Sequence, residues 1–420
     1  MNKKAKVLSI IAIVLAGIFI PAWVIFFPNP FKLGWSGIIA TNTTWEGDIY
    51  VSGDIVVAPW ATLTIKPGTT ISIRVGGDDF NFIAPNEPDD LQTGDPTVDA
   101  NAGAKEYLNT HISISVFGKI ICKGTEENPI RFFSEKSSPE YADWCGIYVT
   151  YGEFEYTILQ WSVDGIFADE NFERLSVDHC LISNNFAAGI GYGKAKNENS
   201  IAYVKHTTIQ DCGHEAVDTH SSGDIEIAYN YIDSCQVGLN IRDDASDRTI
   251  NANIHHNIIV DTSCPILLHN SEATVNHCVL QQTFQDTTRW TYNGWQMPEL
   301  VGLGCINLDP SGGVNLLVKN TIIFDSPTGF LDQQEETSTS ECVSDYNNFD
   351  SVSTPFEGSS VAAGTSNTYV STMFIDKLNG DFRLNTGSPC KSAGDPAEGS
   401  PDLGAYGGGL AEAAIGWNPS

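Results

Sequence analysis

Five polar residues whose side chains can transfer protons or bind anions recur in a regular pattern in the middle of the chain. They are Asp218, His220, Asn240, Arg242 and His269. Aspartate and histidine serve as general acids and bases, and an arginine guanidinium binds a carboxylate through two parallel hydrogen bonds. This set is therefore suited to acid–base chemistry on an anionic ligand, provided that the fold brings its members together.

A repeated segment predicts how residues so far apart in sequence meet. Each copy begins with an apolar residue, has His, Tyr or Asn third and Thr, Cys or Asn fourth, and ends on Ile or Leu. The copies lie at residues 154–159, 177–182, 204–209, 227–232, 254–259, 275–280 and 318–323, with a degenerate one at 343–348. A period of about 20 to 50 residues is typical of a solenoid, in which each unit buries its apolar face against its neighbours.

The repeats predict an all-β solenoid of roughly eleven to thirteen coils. A second short apolar piece follows the first in each unit, and Asn, Asp, Ser and Gly separate the pieces. Short β-rich runs with such punctuation are strands joined by bends. No amphipathic stretch of the repeats is long enough for a helix.

Alternation along the second apolar piece predicts which side chains face outward, because successive residues of a strand point to opposite faces. The inward column consists of Ile166, Ile190, Val217, Leu239, Ile266 and Ile306. The next residue of each strand gives an outward column of Phe167, Gly191, Asp218, Asn240, Leu267 and Asn307. Two residues further on, a parallel column holds Asp169, Gly193, His220, Arg242, His269 and Asp309. The five polar residues should therefore converge on adjacent coils, beside a hollow left by the two glycines.

Two further features lie close to this set. An insertion at residues 283–301 carries the aromatic residues Trp290, Tyr292 and Trp295. Long loops on a rigid scaffold often bind ligands, so these rings are candidates for stacking on sugars, and the alternative is that they cover an edge of the stack. Asp243 and Asp244 follow the strand of Arg242, and with Asp218 they are the candidate metal ligands.

The third position of the repeat predicts a column at a corner of the solenoid. Its members are Tyr156, His179, His206, Tyr229, His256, His277 and Asn320. The apolar first and sixth positions have an odd separation, so a bend must lie between them. Equivalent residues of adjacent coils stack about 4.8 Å apart, which favours a structural stack of rings over the alternative of a metal site.

These repeats resemble the right-handed parallel β-helix family, the architecture of pectate-lyase-like proteins. Residues 53–71 are similar to the opening coil of that family, and residues 380–406 to its closing coil. The resemblance covers roughly residues 45–407 and implies a right-handed parallel β-helix. It also implies that any action on polysaccharide takes place on the outer face of one sheet.

The resemblance further implies roles for the convergent residues. β-Elimination of a uronic acid needs its carboxylate neutralised, by Arg242 or by a cation held by Asp218, and needs a base such as His220 or His269. The accompanying substrate-binding candidates are Asn240, Asp169, Asp309, Trp290, Tyr292 and Trp295.

Two alternatives to elimination remain open. Hydrolysis would instead need two carboxylates at a fixed separation, with Asp218 paired to Asp169, Asp243 or Asp309. The rival class is a non-catalytic cell-surface, adhesion or envelope structural protein.

The composition limits the partners. The formal net charge of −30 over 420 residues argues against nucleic acid or an anionic membrane surface as a ligand. Such acidity suits divalent cations, cationic partners or solubility in a salty medium. Residues 76–110 form an acidic insertion, predicted to be a solvated loop, with calcium binding as the alternative.

The first 27 residues predict an association with a membrane. Lys3, Lys4 and Lys6 precede an uncharged apolar stretch at residues 7–27, which is long enough to cross a bilayer and has its positive charges on the inner side. A signal anchor is favoured, and a cleaved signal peptide is the alternative. The β-helix (45–407), its tether (28–44) and its tail (408–420) would then be extracellular or at the cell surface, where polysaccharide or a cell-envelope component is the expected partner.

The cysteines predict no zinc ribbon. The chain has 10 cysteines without any Cys-x-x-Cys pair. Cys212 and Cys235 fall at equivalent positions of adjacent repeats, where the strand spacing permits either a disulfide or a stack of thiols.

Overall fold

The computed structural model describes residues 34–82, 110–220, 223–243, 250–292, 295–296, 303–308, 313–333, 341–358, 361–399, 401–407 and 415–419. Within them the chain winds into successive coils of three short strands, and each strand pairs in parallel with its equivalents in the coils before and after. The all-β parallel solenoid that the repeats predict is therefore confirmed.

The three columns of strands form sheets that we name A, B and C. Sheet A contains Thr43–Trp45, Thr62–Ile65, Lys119–Lys123, Tyr151–Glu155, Arg174–Asp178, Ile201–Lys205, Ile225–Ala228, Ile250–His255, Ser271–Asn276, Val314–Lys319, Cys342–Asp345 and Val361–Ala363. Sheet B contains Thr70–Ile73, Ile130–Ser134, Thr157–Gln160, Leu181–Ser183, Thr208–Gln210, Tyr231–Asp233, Ile258–Thr262, Val279–Gln282, Ile322–Phe324 and Asn348–Asp350. Sheet C contains Trp35–Ile39, Ser113–Val116, Gly146–Val149, Ile166–Ala168, Ile190–Tyr192, Glu215–His220, Val237–Arg242, Cys264–His269, Ile306–Leu308, Thr328–Asp332 and Thr354–Glu357.

The remaining described elements are few. The long strand Asp48–Val57 pairs first in sheet B and then in sheet C. Short antiparallel pairs join Thr291–Tyr292 to Trp295–Gln296 and Phe374–Asp376 to Asp381–Leu384. Three 3-10 turns lie at Thr287–Arg289, Lys377–Asn379 and Pro396–Glu398. The 12 strands of sheet A, one from each coil, agree with the predicted number of coils.

The corner between sheets A and B explains the pattern of the repeat. Its third residue adopts a left-handed backbone, for example at Tyr156 (φ 46°), His256 (φ 55°) and Asn320 (φ 51°). The rings of this column stack as predicted, with centroids 5.0 Å apart for His206 and Tyr229 and 4.9 Å apart for His256 and His277. The bend that the odd apolar spacing requires is therefore this single residue.

The fourth residue of the repeat satisfies the backbone at the same corner. Asn230 and Asn257 are fully buried and donate to Val204 O and Ile227 O, both at sheet A strand ends. Thr207 Oγ1 donates to Lys205 O in the same way at 2.7 Å. A buried carbonyl without a partner is costly, which explains why Thr, Asn and Cys alternate at this position.

The described part of the chain corrects the predicted start of the β-helix and shows where its C-terminal segments pack. Trp35–Ile39 and Thr43–Trp45 are strands of the first coil, so the predicted tether at 28–44 ends about ten residues too late. The segment after residue 373 packs along the outer face of sheet B, where Phe382, Cys390 and Leu403 bury Phe324 and Ile322. In the described segment 415–419, Trp417 covers Ile158 and Leu181 on sheet B.

The predicted membrane segment at residues 1–27 and most of the acidic insertion lie outside the described residues. In the part of the chain that the structure describes, no helix combines the length and the apolar character needed to cross a bilayer. The insertion begins as a turn in which Asp78 Oδ1 accepts hydrogen bonds from the backbone N–H groups of Asp54 and Phe80.

Candidate functional site

Sheet C presents the predicted polar column on its outer face. Asp218 pairs with Asn240, and Asn240 with Leu267, while His220 pairs with Arg242 and Arg242 with His269. The inward column, which includes Val217 and Leu239, is fully buried. The register derived from alternation is therefore confirmed for these strands.

The side chains of Asp218, His220 and Arg242 contact one another. We call these three residues, together with Glu215 and Asn240, the sheet C cluster. Asp218 Oδ2 lies 2.6 Å from His220 Nε2, and Arg242 Nη2 lies 2.5 Å from the same nitrogen. Arg242 Nη2 is also 3.6 Å from Asp218 Oδ2. The imidazole and guanidinium are about one-third exposed, whereas the Asp218 carboxyl is buried beneath them.

The shared contact at His220 Nε2 restricts the proton arrangement. A ring nitrogen carries either a proton or a lone pair, so it cannot donate to Asp218 and accept from Arg242 at once. Either Nε2–H donates to an ionised Asp218, or Arg242 donates to Nε2 and Asp218 is protonated. The three side chains are thus arranged to hold one proton in two alternative positions.

Asn240 links Asp218 to a second carboxylate, that of Glu215. Asn240 Nδ2 donates to Asp218 Oδ1 at 3.0 Å and to Glu215 Oε1 at 3.2 Å. Burial and the neighbouring Glu215 charge raise the pKa of Asp218. Burial would raise the pKa of Glu215 as well. The charge and the hydrogen bond of His214 outweigh burial and hold the pKa of Glu215 below its usual range. Two close carboxyls whose pKa values move in opposite directions are typical of acid–base sites.

The expected hollow beside Gly191 is absent from this face. The ring of Phe167 lies over Gly191, where an added Cβ would come within 2.1 Å of the ring. Gly193 likewise packs against the backbone of Asp169. The prediction of an open hollow was wrong because Phe167, the register partner of Gly191 on the preceding coil, folds its ring across the glycine. Phe167 instead supplies a partly exposed ring whose centroid lies 6.4 Å from that of His220.

Trp290 of the aromatic insertion does not lie where a ring that stacks on sugars would lie. Trp290 is fully buried, and it packs with Tyr148, Val163, Phe186 and Ala187 along the corner between sheets B and C. A buried indole cannot stack on a sugar, so the alternative of covering the stack is correct for Trp290. Tyr292 and Trp295 pair through their backbones in a short hairpin, and their side chains lie outside the described part.

The other candidates are partly accounted for. His269 and Asp169 are half-buried at strand ends of sheet C, where His269 is the register partner of Arg242. Asp243 is buried, and its N–H donates to the carbonyl of His269. Asp244 and Asp309 lie outside the described residues.

The metal and disulfide candidates have a different outcome. Among the described residues, Asp178, His179 and His206 are placed so that one donor atom of each can reach a single metal ion. The candidate ligands Asp218, Asp243 and Asp244 stay a prediction, because Asp244 lies outside the described residues. Cys212 and Cys235 are buried free thiols, as are the other cysteines. The structure therefore shows a stack of thiols and not a bridge.

Sequence reasoning missed Glu215, His214 and Phe167 as members of the site. Glu215 shares the face of the inward Val217 by alternation, yet its carboxylate turns to Asn240 at the start of the strand. Phe167 was in the outward column without an assigned role. A signal existed only for His214, which adjoins Glu215 in a Gly-His-Glu sequence between two apolar pieces.

The described coils define the protein as an all-β parallel solenoid. Among solved structures, the crystal structure of pectate lyase Pel9A is similar with a TM-score of 0.40 and 13% sequence identity, over 83% of this chain and 88% of that one. No protein-family model and no curated protein sequence matches the chain.

Proposed function

We propose that this protein binds an acidic polysaccharide on the outer face of sheet C, outside the cytoplasm. The observation that carries the proposal is the sheet C cluster, in which a partly exposed arginine and histidine stand over two buried carboxyls on a rigid sheet. Arg242 would pair with the carboxylate of a uronic acid unit.

The surroundings of Arg242 support an anionic ligand despite the charge of −30. Exposed charges act over only about 8 Å at physiological salt, so the groups nearest the ligand decide its binding. The Asp218 and Glu215 carboxyls are buried and held against His220, Arg242 and His214. The face itself therefore presents the guanidinium of Arg242, the imidazole of His220 and the ring of Phe167, on which a sugar can stack.

The Asp218–His220 pair favours cleavage as a second candidate function. When His220 Nε2 donates to Asp218, Nδ1 becomes the basic nitrogen of the ring, and Arg242 stabilises the negative charge that develops beside a uronic acid carboxylate. This is the proton arrangement that β-elimination needs.

Calorimetric titration of the full-length chain tests the binding proposal. The probes are oligogalacturonate and a neutral xylo-oligosaccharide of equal length. We expect saturable binding of the acidic oligosaccharide that weakens with salt, and at least a tenfold loss of affinity in Arg242→Ala, because a charged hydrogen-bonded pair contributes about 1.5 to 3 kcal/mol.

Arg131→Ala is the matched control, since Arg131 is an exposed arginine on sheet B. It should bind as the unaltered protein does. If no acidic glycan binds, or if both arginine variants lose the same affinity, the alternative of a non-catalytic surface or envelope protein replaces the proposal.

A further inference from the structure

One point of the corner column brings two histidines and a carboxylate together. His179 and His206 lie on adjacent coils with ring centroids 4.5 Å apart and planes inclined by 20°. Nδ1 of each ring is 2.9 Å from the same oxygen, Asp178 Oδ1. This site lies between sheets A and B and is separate from the sheet C cluster.

We propose that Asp178, His179 and His206 bind a first-row divalent metal ion such as Zn²⁺. One donor atom from each residue lies within 4.8 Å of the other two. Zinc bonds to imidazole and carboxylate are about 2.0 to 2.2 Å long, so donor atoms around one ion are at most about 4.4 Å apart. Small side-chain rotations therefore bring the three donors onto a single ion.

The backbone holds these ligands in place before an ion arrives. His179 and His206 have the left-handed backbone of the corner, with φ of 49° and 46°. Parallel pairing of Asp178 with Lys205 fixes the two coils in register. The side chains are 33%, 24% and 29% exposed for His179, His206 and Asp178, so an ion can enter and water can complete its coordination.

The neighbouring positions of the column do not repeat this arrangement. His256 and His277 also stack on adjacent coils, but the residues that precede them are His255 and Asn276. His256 Nδ1 lies 2.9 Å from His255 Nδ1, with no carboxylate between the rings. The combination of two imidazoles and one carboxylate, a donor set that suits zinc, thus distinguishes the pair at 179 and 206.

Metal binding exchanges protons with the solvent. Each ring nitrogen that coordinates the ion must first give up its proton, to the other ring nitrogen or to water, and Asp178 then accepts the metal in place of the N–H groups. Where the proton passes to water, binding of the ion is accompanied by proton release.

Titration of the full-length chain, prepared without a polyhistidine tag, with Co²⁺ and then Zn²⁺ tests the proposal. We expect one ion per chain, visible absorption bands of a four-coordinate Co²⁺ site, and their loss on displacement by Zn²⁺. His206→Gln and Asp178→Asn should each weaken binding about tenfold or more, as removal of a metal ligand or its partner does. Asparagine keeps a hydrogen-bond acceptor beside the rings, so the stack can persist in that variant.

His256→Gln is the matched control, because it alters the same column at a position without the carboxylate. It should bind Co²⁺ as the unaltered protein does. At the same Zn²⁺ concentration the melting temperature of both should rise more than that of His206→Gln. The proposal is overturned if the unaltered chain shows no four-coordinate Co²⁺ spectrum, or if His256→Gln weakens binding as much as His206→Gln. Glycan binding at sheet C is measured separately, so failure of one proposal leaves the other standing.

Discussion

His220 Nε2 lies 2.6 Å from Asp218 Oδ2, and both residues project from the same face of one strand. A separation of two residues places side chains on one face of a strand, so a single element builds this pair. Burial of Asp218 fixes the carboxyl, and the carboxyl in turn orients the more exposed imidazole.

The pair predicts the effect of two substitutions on cleavage. Asp218→Asn and His220→Gln should each lower the turnover of oligogalacturonate by about 10²- to 10⁴-fold, because positioned proton transfer contributes that much. The dissociation constant should change little, since Arg242 remains. Release of unsaturated product, followed by ultraviolet absorbance, measures the rate, and calorimetry measures the affinity. Unchanged turnover in both variants would exclude the pair from catalysis.

Because Trp290 is buried, we expect its substitution to lower the stability of the protein and to leave its ligand affinity unchanged. Trp290→Ala removes a fully buried indole from the cluster with Tyr148 and Phe186, and such truncations cost about 3 to 5 kcal/mol. The midpoint of urea unfolding, followed by circular dichroism, should fall accordingly. Glycan affinity should be retained under conditions in which the variant is folded.

Phe284→Ala is the control for Trp290, because Phe284 is 52% exposed on the same insertion. Its effect on stability should stay within about 0.5 kcal/mol. Reduced glycan affinity in Trp290→Ala with unchanged stability would instead restore the sugar-stacking role.

Because Asp54 is buried, we expect the free energy of unfolding to fall as pH rises from mildly acidic to mildly alkaline values. Burial, followed by the charge of Asp78, raises the pKa of Asp54 from 3.8 to about 8. Below 3.8 the carboxyl is protonated in both the folded and unfolded states. As pH rises towards 8 the unfolded state releases this proton and the folded state retains it, so the free energy of unfolding falls.

Urea unfolding at a series of pH values measures this slope. Asp54→Asn should make the dependence shallower between pH 4 and 8, because a neutral amide releases no proton. Asp381→Asn serves as control, since its partner Arg383 lowers the pKa of Asp381 and moves its titration below that range. Equal slopes in Asp54→Asn and the unaltered protein would contradict the assignment.

The cysteines predict slow thiol chemistry in the folded protein. All 10 are buried free thiols, and burial raises the pKa of Cys235 well above its ordinary value. We expect them to react with a thiol reagent only on unfolding, and non-reduced peptides to contain no Cys212–Cys235 disulfide. Detection of that disulfide by mass spectrometry would show that the thiol stack is oxidised in the native protein.

The sequence by itself determined the repeating part of the protein. The inward column through Val217 and Leu239, the outward pairing of His220 with Arg242, and the corner at His206 all follow from local rules. Strand side chains alternate with a period of 2, and equivalent positions of adjacent coils must stack. These constraints repeat in every coil, so a one-residue error would expose a whole apolar column.

Only the tertiary structure decided where the irregular parts lie. It placed Trp290 in the corner between sheets B and C, laid Phe167 across Gly191, and turned Glu215 towards Asn240. It also docked Trp417 on sheet B. Such placements depend on contacts between segments distant in sequence, which carry no period. The physical reason is that packing surfaces of insertions and tails are fixed by shape and burial in three dimensions, against coils that are distant in sequence.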